Sequence, residues 1–420
     1  TIDFNNNKGF TIGDNTTLNI SNITFIGEKS ETGSIITANT GSTANLENVT
    51  LGVNAETGIS NAGSLNFKGD NNLNTSITGT TGSITIANGT TTIADNSTIE
   101  GVISVATPAT LSTSASGLLS DVTNAGTLNL NGGLFCEYTV SGTGTTVISA
   151  DTINLGTIEQ GNFTVNEDIK YNNSKTTVVN NVLTNSGQIL NNGEFTVGGT
   201  NNLGNFTGNG ILNIAGVATV DKALVQGTVN IKDGATLTNI AGVTANVVNN
   251  STFNNEARLT GTLTNTGSAT SDASNLNGNV INTGNLTLGG GNFGANSITG
   301  TGTTAIAGDV TTSGSILQGT LNISENNKLT NNGIASISTV NVVEGASLEN
   351  NGQFTVDNTF TNNGTVLNNE TGTMNINNYV SEVQEDGTRG VLENRGILRI
   401  ESSSVDADIR NYNHISVKGD

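Results

Sequence analysis

The residues able to do chemistry are few, and their spacing sets the first limits on function. Among 420 residues there are one His, one Cys, no Trp and four Tyr. A Ser-His-Asp triad would have to be built on His414, which stands in a strand-like segment and reads as a surface or rung-edge imidazole. The acid pairs Glu385-Asp386 and Asp406/Asp408 are spaced so that each could share a strand face. A hard cation such as calcium wants several such oxygens, but the Gly-Asp calcium-roll nonapeptide is absent, so both pairs read as solvated charge. Cys136 lies in the apolar run Leu134-Phe135-Cys136, which predicts a buried, unreactive thiol. Gly-x-Gly occurs at Gly142/Gly144, Gly208/Gly210 and Gly300/Gly302. No helix-forming segment or Lys follows, so these fail as phosphate loops and are expected to be turns. The sequence nominates no catalytic residue, no cofactor site and no metal ligand.

Composition narrows the class further. With 34 acids against 14 bases the formal charge is −20. Such a field repels phosphate backbones and anionic lipid, so nucleic acid and membrane-surface partners are not expected. Charged residues are only 11% of the chain, which argues against charge-driven disorder. The 54 Gly accompany a single Pro without a Gly-X-Y period, which excludes collagen. Hydrophobics make up 33% and are scattered singly, as a thin core extended along an axis requires. No apolar run approaches the ~20 residues of a membrane helix. No signal peptide opens the sequence, which starts inside an apparent repeat without an initiator Met. We therefore expect a mature or excised piece of a longer protein. Asn-x-Ser/Thr triplets such as Asn22-Ile-Thr24 follow from composition. Thr90-Thr-Thr92 raises ice binding, but no regular Thr-x-Thr at a fixed repeat position is visible in the sequence.

The elements that carry these residues are set by internal repeats. The pattern apolar-x-Asn-x-Gly-x-apolar-x-apolar appears as Ile59-Ser-Asn61-Ala-Gly63-Ser-Leu65-Asn-Phe67, and again from Val122, Ile189, Val280, Leu329, Leu348 and Leu392. Weaker copies start at Leu183, Leu263 and Phe360, and a last one, from Ile409, has Asn413 in place of Gly. Because Asn is the residue next most tolerant of positive φ, the fifth position is expected to be a left-handed turn between strands. Apolar residues at every second position after it are strand periodicity, and no sustained 3.6-residue pattern appears. A longer repeat joins Gly210, Ile214 and Gln226-Gly227; it recurs as Gly302, Ile306 and Gln318-Gly319, and as Gly144, Ile148 and Gln160-Gly161. A degenerate copy starts at Gly82, with Ile86 and then Glu100-Gly101. Stepping through Ile306, Ile323, Val340, Val356, Ile376, Ile400 and Val417 suggests coils of about 16–20 residues.

These observations predict an all-β chain with almost no helix: a right-handed parallel β-helix, or β-solenoid, running as one continuous domain over residues 1–420. Residues 382–390 are expected to form a charged loop inserted in one rung. Roughly 20 rungs at ~4.8 Å each would make a rod about 100 Å long, with Asn, Ser and Thr stacked in hydrogen-bonded ladders at equivalent turns. Each rung depends on its neighbours to bury its apolar side.

The Asn-x-Gly turns, the Gly-x-Gly starts and the scarcity of Cys and Pro resemble passenger domains of bacterial autotransporters and related β-helical adhesins. The resemblance covers nearly the whole chain, in architecture and composition. It implies export across the outer membrane, display at the bacterial cell surface, and adhesion to a host or neighbouring cell or self-association. The expected function is therefore an elongated extracellular adhesin or passenger stalk without catalysis or cofactor. The alternatives are a structural filament or surface-layer subunit stacked end to end, and a polysaccharide-active β-helix enzyme, which would need clustered carboxylates and stacking aromatics.

Overall fold

Alternation of apolar and polar residues places one side of each strand against a core and leaves the other outward. In Ser83–Ile86 the two Ile are buried and Ser83 and Thr85 are not. The strand pairs in parallel with Ser64–Lys68 on one side and Val102–Val105 on the other. Repetition of this arrangement makes the chain a parallel β-solenoid of about 21 turns. The computed structural model describes residues 1–3, 9–27, 33–52, 58–385, 387–401 and 407–418. Among them the only helix is a 3-10 turn, Ala273–Asn275. The chain divides into two compact units, Thr1–Leu212 and Asn213–Asp420.

In the first unit the core is lined by stacked aliphatics, and aromatic rings fill one stretch of it. Phe195 meets Phe163 and Phe206 edge-on, with centroids 6.1 and 5.1 Å away. Buried Tyr171 stands 4.9 Å from Phe163 and shares a 2.7 Å hydrogen bond with the Thr177 hydroxyl. Burial in this dry setting pushes its phenol far above the usual tyrosine range.

In the second unit each turn has three faces. Thr236–Asn239 and Thr252–Asn255 belong to the first face and pair in register. Val243–Asn249 then bends: Val243 aligns with Leu259 on the third face, and Val247 with Leu263 on the second. Later third-face strands are Lys328–Asn331, Ser347–Asn350 and Thr365–Asn368.

Buried asparagines fasten the corners. Asn331 Nδ2 donates to Asn350 Oδ1 at 2.8 Å, Asn350 to Asn368 at 2.8 Å, Asn368 to Asn394 at 2.7 Å and Asn394 to Asn411 at 2.7 Å. The steps are 19, 18, 26 and 17 residues. A second ladder, Asn249–Asn265–Asn282, steps by 16 and 17 residues at another corner. Rungs near the start of the chain are longer than expected, as where Ile36 aligns with Ile59, 23 residues on, whereas in these two ladders the expected length holds apart from the 26-residue step. That step contains residues 381–385 and 387–390, which form no strand; Asp386 lies outside the described residues.

The structure corrects two expectations. The fifth-position glycines Gly63, Gly126, Gly193, Gly284, Gly333, Gly352 and Gly396 do not have positive φ. They are needed because the chain one turn below passes too close for a Cβ: at Gly352 it would stand 2.1 Å from the Gly333 carbonyl oxygen, and at Gly333 it would stand 1.9 Å from that of Gly314. The ladder read through Ile323, Val340 and Val356 merges three columns, the last of them running Ile337, Val356, Ile376. Ile323 aligns with Val342, while Val340 aligns with Leu321 and Phe360. Within Ile334–Val342 both Ile337 and Val340 point inward, separated by two residues at a corner, so strict alternation breaks there.

The Gly-x-Gly sites are turns as expected: Gly142, Gly208 and Gly300 have φ of 125°, 128° and 118°. They also explain the longer repeat. Gly300 occupies the ladder position above Asn282, where a Cβ would collide with the Asn282 carbonyl at 2.3 Å. With no amide in that turn, Gln318 reaches across from the next one. Its Oε1 accepts from Asn282 Nδ2 at 2.8 Å, 36 residues away. Gln160 does the same for Asn124 past Gly142, at 2.6 Å and the same separation.

Candidate functional site

The residues singled out for chemistry are not brought together. His414 is exposed on the second face, aligned with Ile397. Asp408 faces Arg410 at 3.4 Å on the third face. Glu385 is exposed, and Asp386 and Asp406 lie outside the described residues. Among the described residues no group of three or more His, Cys, Asp or Glu could hold a metal ion.

Cys136 departs from expectation. It alternates with buried Phe135 and points outward, partly exposed, beside Leu134 and next to Leu155 of the following turn. An apolar run three residues long spans both sides of a strand, so apolar neighbours in sequence did not mean burial.

The outward surface of the second unit is sorted by charge. The third face carries ions: Lys328 pairs with Glu349 across one turn and Glu393 with Arg395 at 2.6 Å. Hydrogen bonding to Lys328 holds the Glu349 carboxyl below the usual range. The first face carries none in its two outward columns. One column runs Thr236, Thr252, Ser268, Asn285, Thr303, Thr320, Thr339, Thr359, and the other lies two residues further along each strand. Some of its amides are already paired within the protein, as Asn341 Nδ2 is with Asn322 Oδ1 at 2.7 Å.

The second face is likewise uncharged through eight turns, from Asn246 and Val248 to Thr373 and Asn375, but its chemistry is mixed. Its inner column holds Val248, Thr264, Ile281, Thr299, Leu317 and Ser336 in aligned positions. Ile281 is 48% exposed and Leu317 40%. The Ser336 hydroxyl donates to the carboxylate of Asp357 at the corner, at 3.5 Å.

No protein-family model, curated protein or solved structure matches this chain. The site must therefore be judged on geometry alone, and the uncharged second face is the strongest candidate. Three clefts compete with it. One, of about 430 Å³, is lined by Asn254, Glu256, Thr270 and Asp272 at the edge of the first face. Another, of about 600 Å³, lies beside Cys136, Glu137 and Lys175. A third, of about 680 Å³, is lined by Glu370, Glu393, Arg395, Tyr412 and Asn413. All three are open, and each sets carboxylates at the surface beside neutral or cationic groups.

Sequence reading missed the outward columns. Their members lie 16–20 residues apart at unequal steps, so no fixed period reveals them. A partial signal was present in the residue following some glycine turns, as in Gly267-Ser268, Gly302-Thr303 and Gly319-Thr320.

Proposed function

We propose that this chain is an extracellular, non-catalytic surface protein, an adhesin or passenger stalk of the autotransporter kind, displayed by a bacterium to meet another surface. The observation that carries this reading is the second unit's sorting of its surface: ion pairs gather on one face, while the outward columns of the other two stay neutral through eight turns. A solenoid held by buried amide ladders keeps such faces regular over many turns. Exposed aliphatics standing in an uncharged field suit contact with a partner better than they suit solubility. Export and surface display come from the resemblance of the Asn-x-Gly and Gly-x-Gly turns to that family.

The test is attachment. Labelled protein should bind at least one of a panel of host cells, matrix preparations and bacterial surfaces, saturably and in competition with unlabelled protein. A chain that attaches to none of them is not an adhesin.

A further inference from the structure

The second face has a period that its strands alone do not require. Six successive turns of its inner column alternate aliphatic and hydroxyl side chains: Val248, Thr264, Ile281, Thr299, Leu317, Ser336; Asn230 before them and Thr355 and Asn375 after them bound the stretch. The chemical repeat is two turns, or about 9.6 Å at ~4.8 Å per turn. Ile281 and Leu317 stand half exposed at equivalent points of that repeat, and the Thr299 hydroxyl lies between them, 3.5 Å from the Val280 carbonyl.

Charge restricts what can lie here. The chain carries −20 overall, yet these columns contain no ion through eight turns. A polyanion would meet repulsion from the molecule and no cation on the face, and a polycation would be drawn to the acids elsewhere. A neutral partner is left. To use the column it must offer C–H surface and hydroxyls in alternation, at a spacing close to two turns. A hexose polymer joined through β-1,4 linkages has that form. Its successive rings are inverted, so its chemistry repeats with the disaccharide, and each ring pairs an apolar face with a rim of hydroxyls.

We propose that the second face of this unit binds a neutral β-linked polysaccharide laid along the solenoid axis, with Val248, Ile281 and Leu317 under its C–H faces and Thr264, Thr299 and Ser336 at its hydroxyls. This rests on the surface-protein reading and gives it a partner. Each contact is weak, and affinity comes from repetition along one polymer chain.

The experiment is co-sedimentation of the full chain with four particles: cellulose and chitin, which are neutral and β-linked, cross-linked dextran, which is neutral and α-linked, and calcium alginate, which is anionic. The chain should sediment with the first two and remain in solution with the others. The double variant I281D/L317D should lose at least about tenfold in apparent affinity, and so should the milder I281T/L317T, which puts strand-favouring β-branched side chains at both positions. T270D on the first face should bind as the parent does. Unchanged far-ultraviolet circular dichroism establishes that each variant is folded. The assignment is overturned if the parent stays in solution with both β-linked polymers, if alginate or dextran retains it equally, or if I281T/L317T binds undiminished. Attachment to cells without sedimentation overturns this proposal and leaves the adhesin reading standing. Sedimentation without attachment to any cell or matrix does the opposite.

Discussion

At the scale of single residues, the fold depends on side chains that hydrogen-bond along the axis and on positions with none at all. Asn350 sits within a ladder, accepting from Asn331 and donating to Asn368, while its Oδ1 also receives the Gly352 N–H at 3.3 Å. Asn350→Ala leaves Asn331 Nδ2 and the Gly352 N–H short of a buried acceptor, so it should cost about 2–3 kcal/mol in chemical denaturation. A loss under about 0.5 kcal/mol would mean that water replaces the ladder. Two separate demands select glycine, and Gly300 meets both. Gly352→Ala drives a Cβ into the Gly333 carbonyl and should cost about 3 kcal/mol. Gly234 has nothing within 4 Å but a φ of 76°, so Gly234→Ala should cost only about 1 kcal/mol. Equal losses would refute the distinction. Sequence showed that Gly was required in Asn-x-Gly but not why. A positive φ and a close approach both select Gly, and only the neighbouring turn tells them apart.

At the scale of the element, the unit is the turn. The 19-residue step between Asn331 and Asn350 contains one full circuit of three faces, and both ends present the same amide to the ladder. Deleting residues 332–350 should therefore bring Asn331 into the place of Asn350 and leave a shorter folded solenoid. Its circular dichroism per residue should match the parent, with one cooperative melt at slightly lower temperature. Deleting 332–340 instead removes part of a circuit and sets buried positions against outward ones, so that variant should lose native signal. If both deletions fold equally well, the turn is not the cooperative unit. This periodicity was the most legible feature of the sequence: strand alternation after each turn, the Gln-Gly spacing and the near-absence of helix all appear in the structure. What stayed hidden was the face to which each strand belongs. Asn282 and Asn331 head identical motifs yet stand at different corners, and Ile337 and Val340 enter different columns from one strand. Corner geometry decides both, and a one-residue difference at a corner is invisible to a pattern search.

At the scale of the whole molecule, charge and recognition are separable, and salt can separate them. A net charge of −20 makes copies repel. The Debye length falls from ~30 Å at 0.01 M to ~3 Å at 1 M salt, so that repulsion should fade as ionic strength rises. Binding through the second face follows another rule, because its columns hold no ion and a ligand without charge displaces no counterions. Retention on cellulose or chitin should therefore change by no more than about twofold between 0.05 and 0.5 M NaCl, while light scattering over the same range shows interparticle repulsion declining. A steep loss of retention with salt would show that ions carry the contact. The third face, with Lys328, Arg395 and Arg410, would then be the surface to mutate. A steep gain would show that global repulsion governs access, and that neutrality of the face is not what admits the ligand. A flat response assigns recognition to the neutral columns and leaves the acidic charge to keep the copies apart.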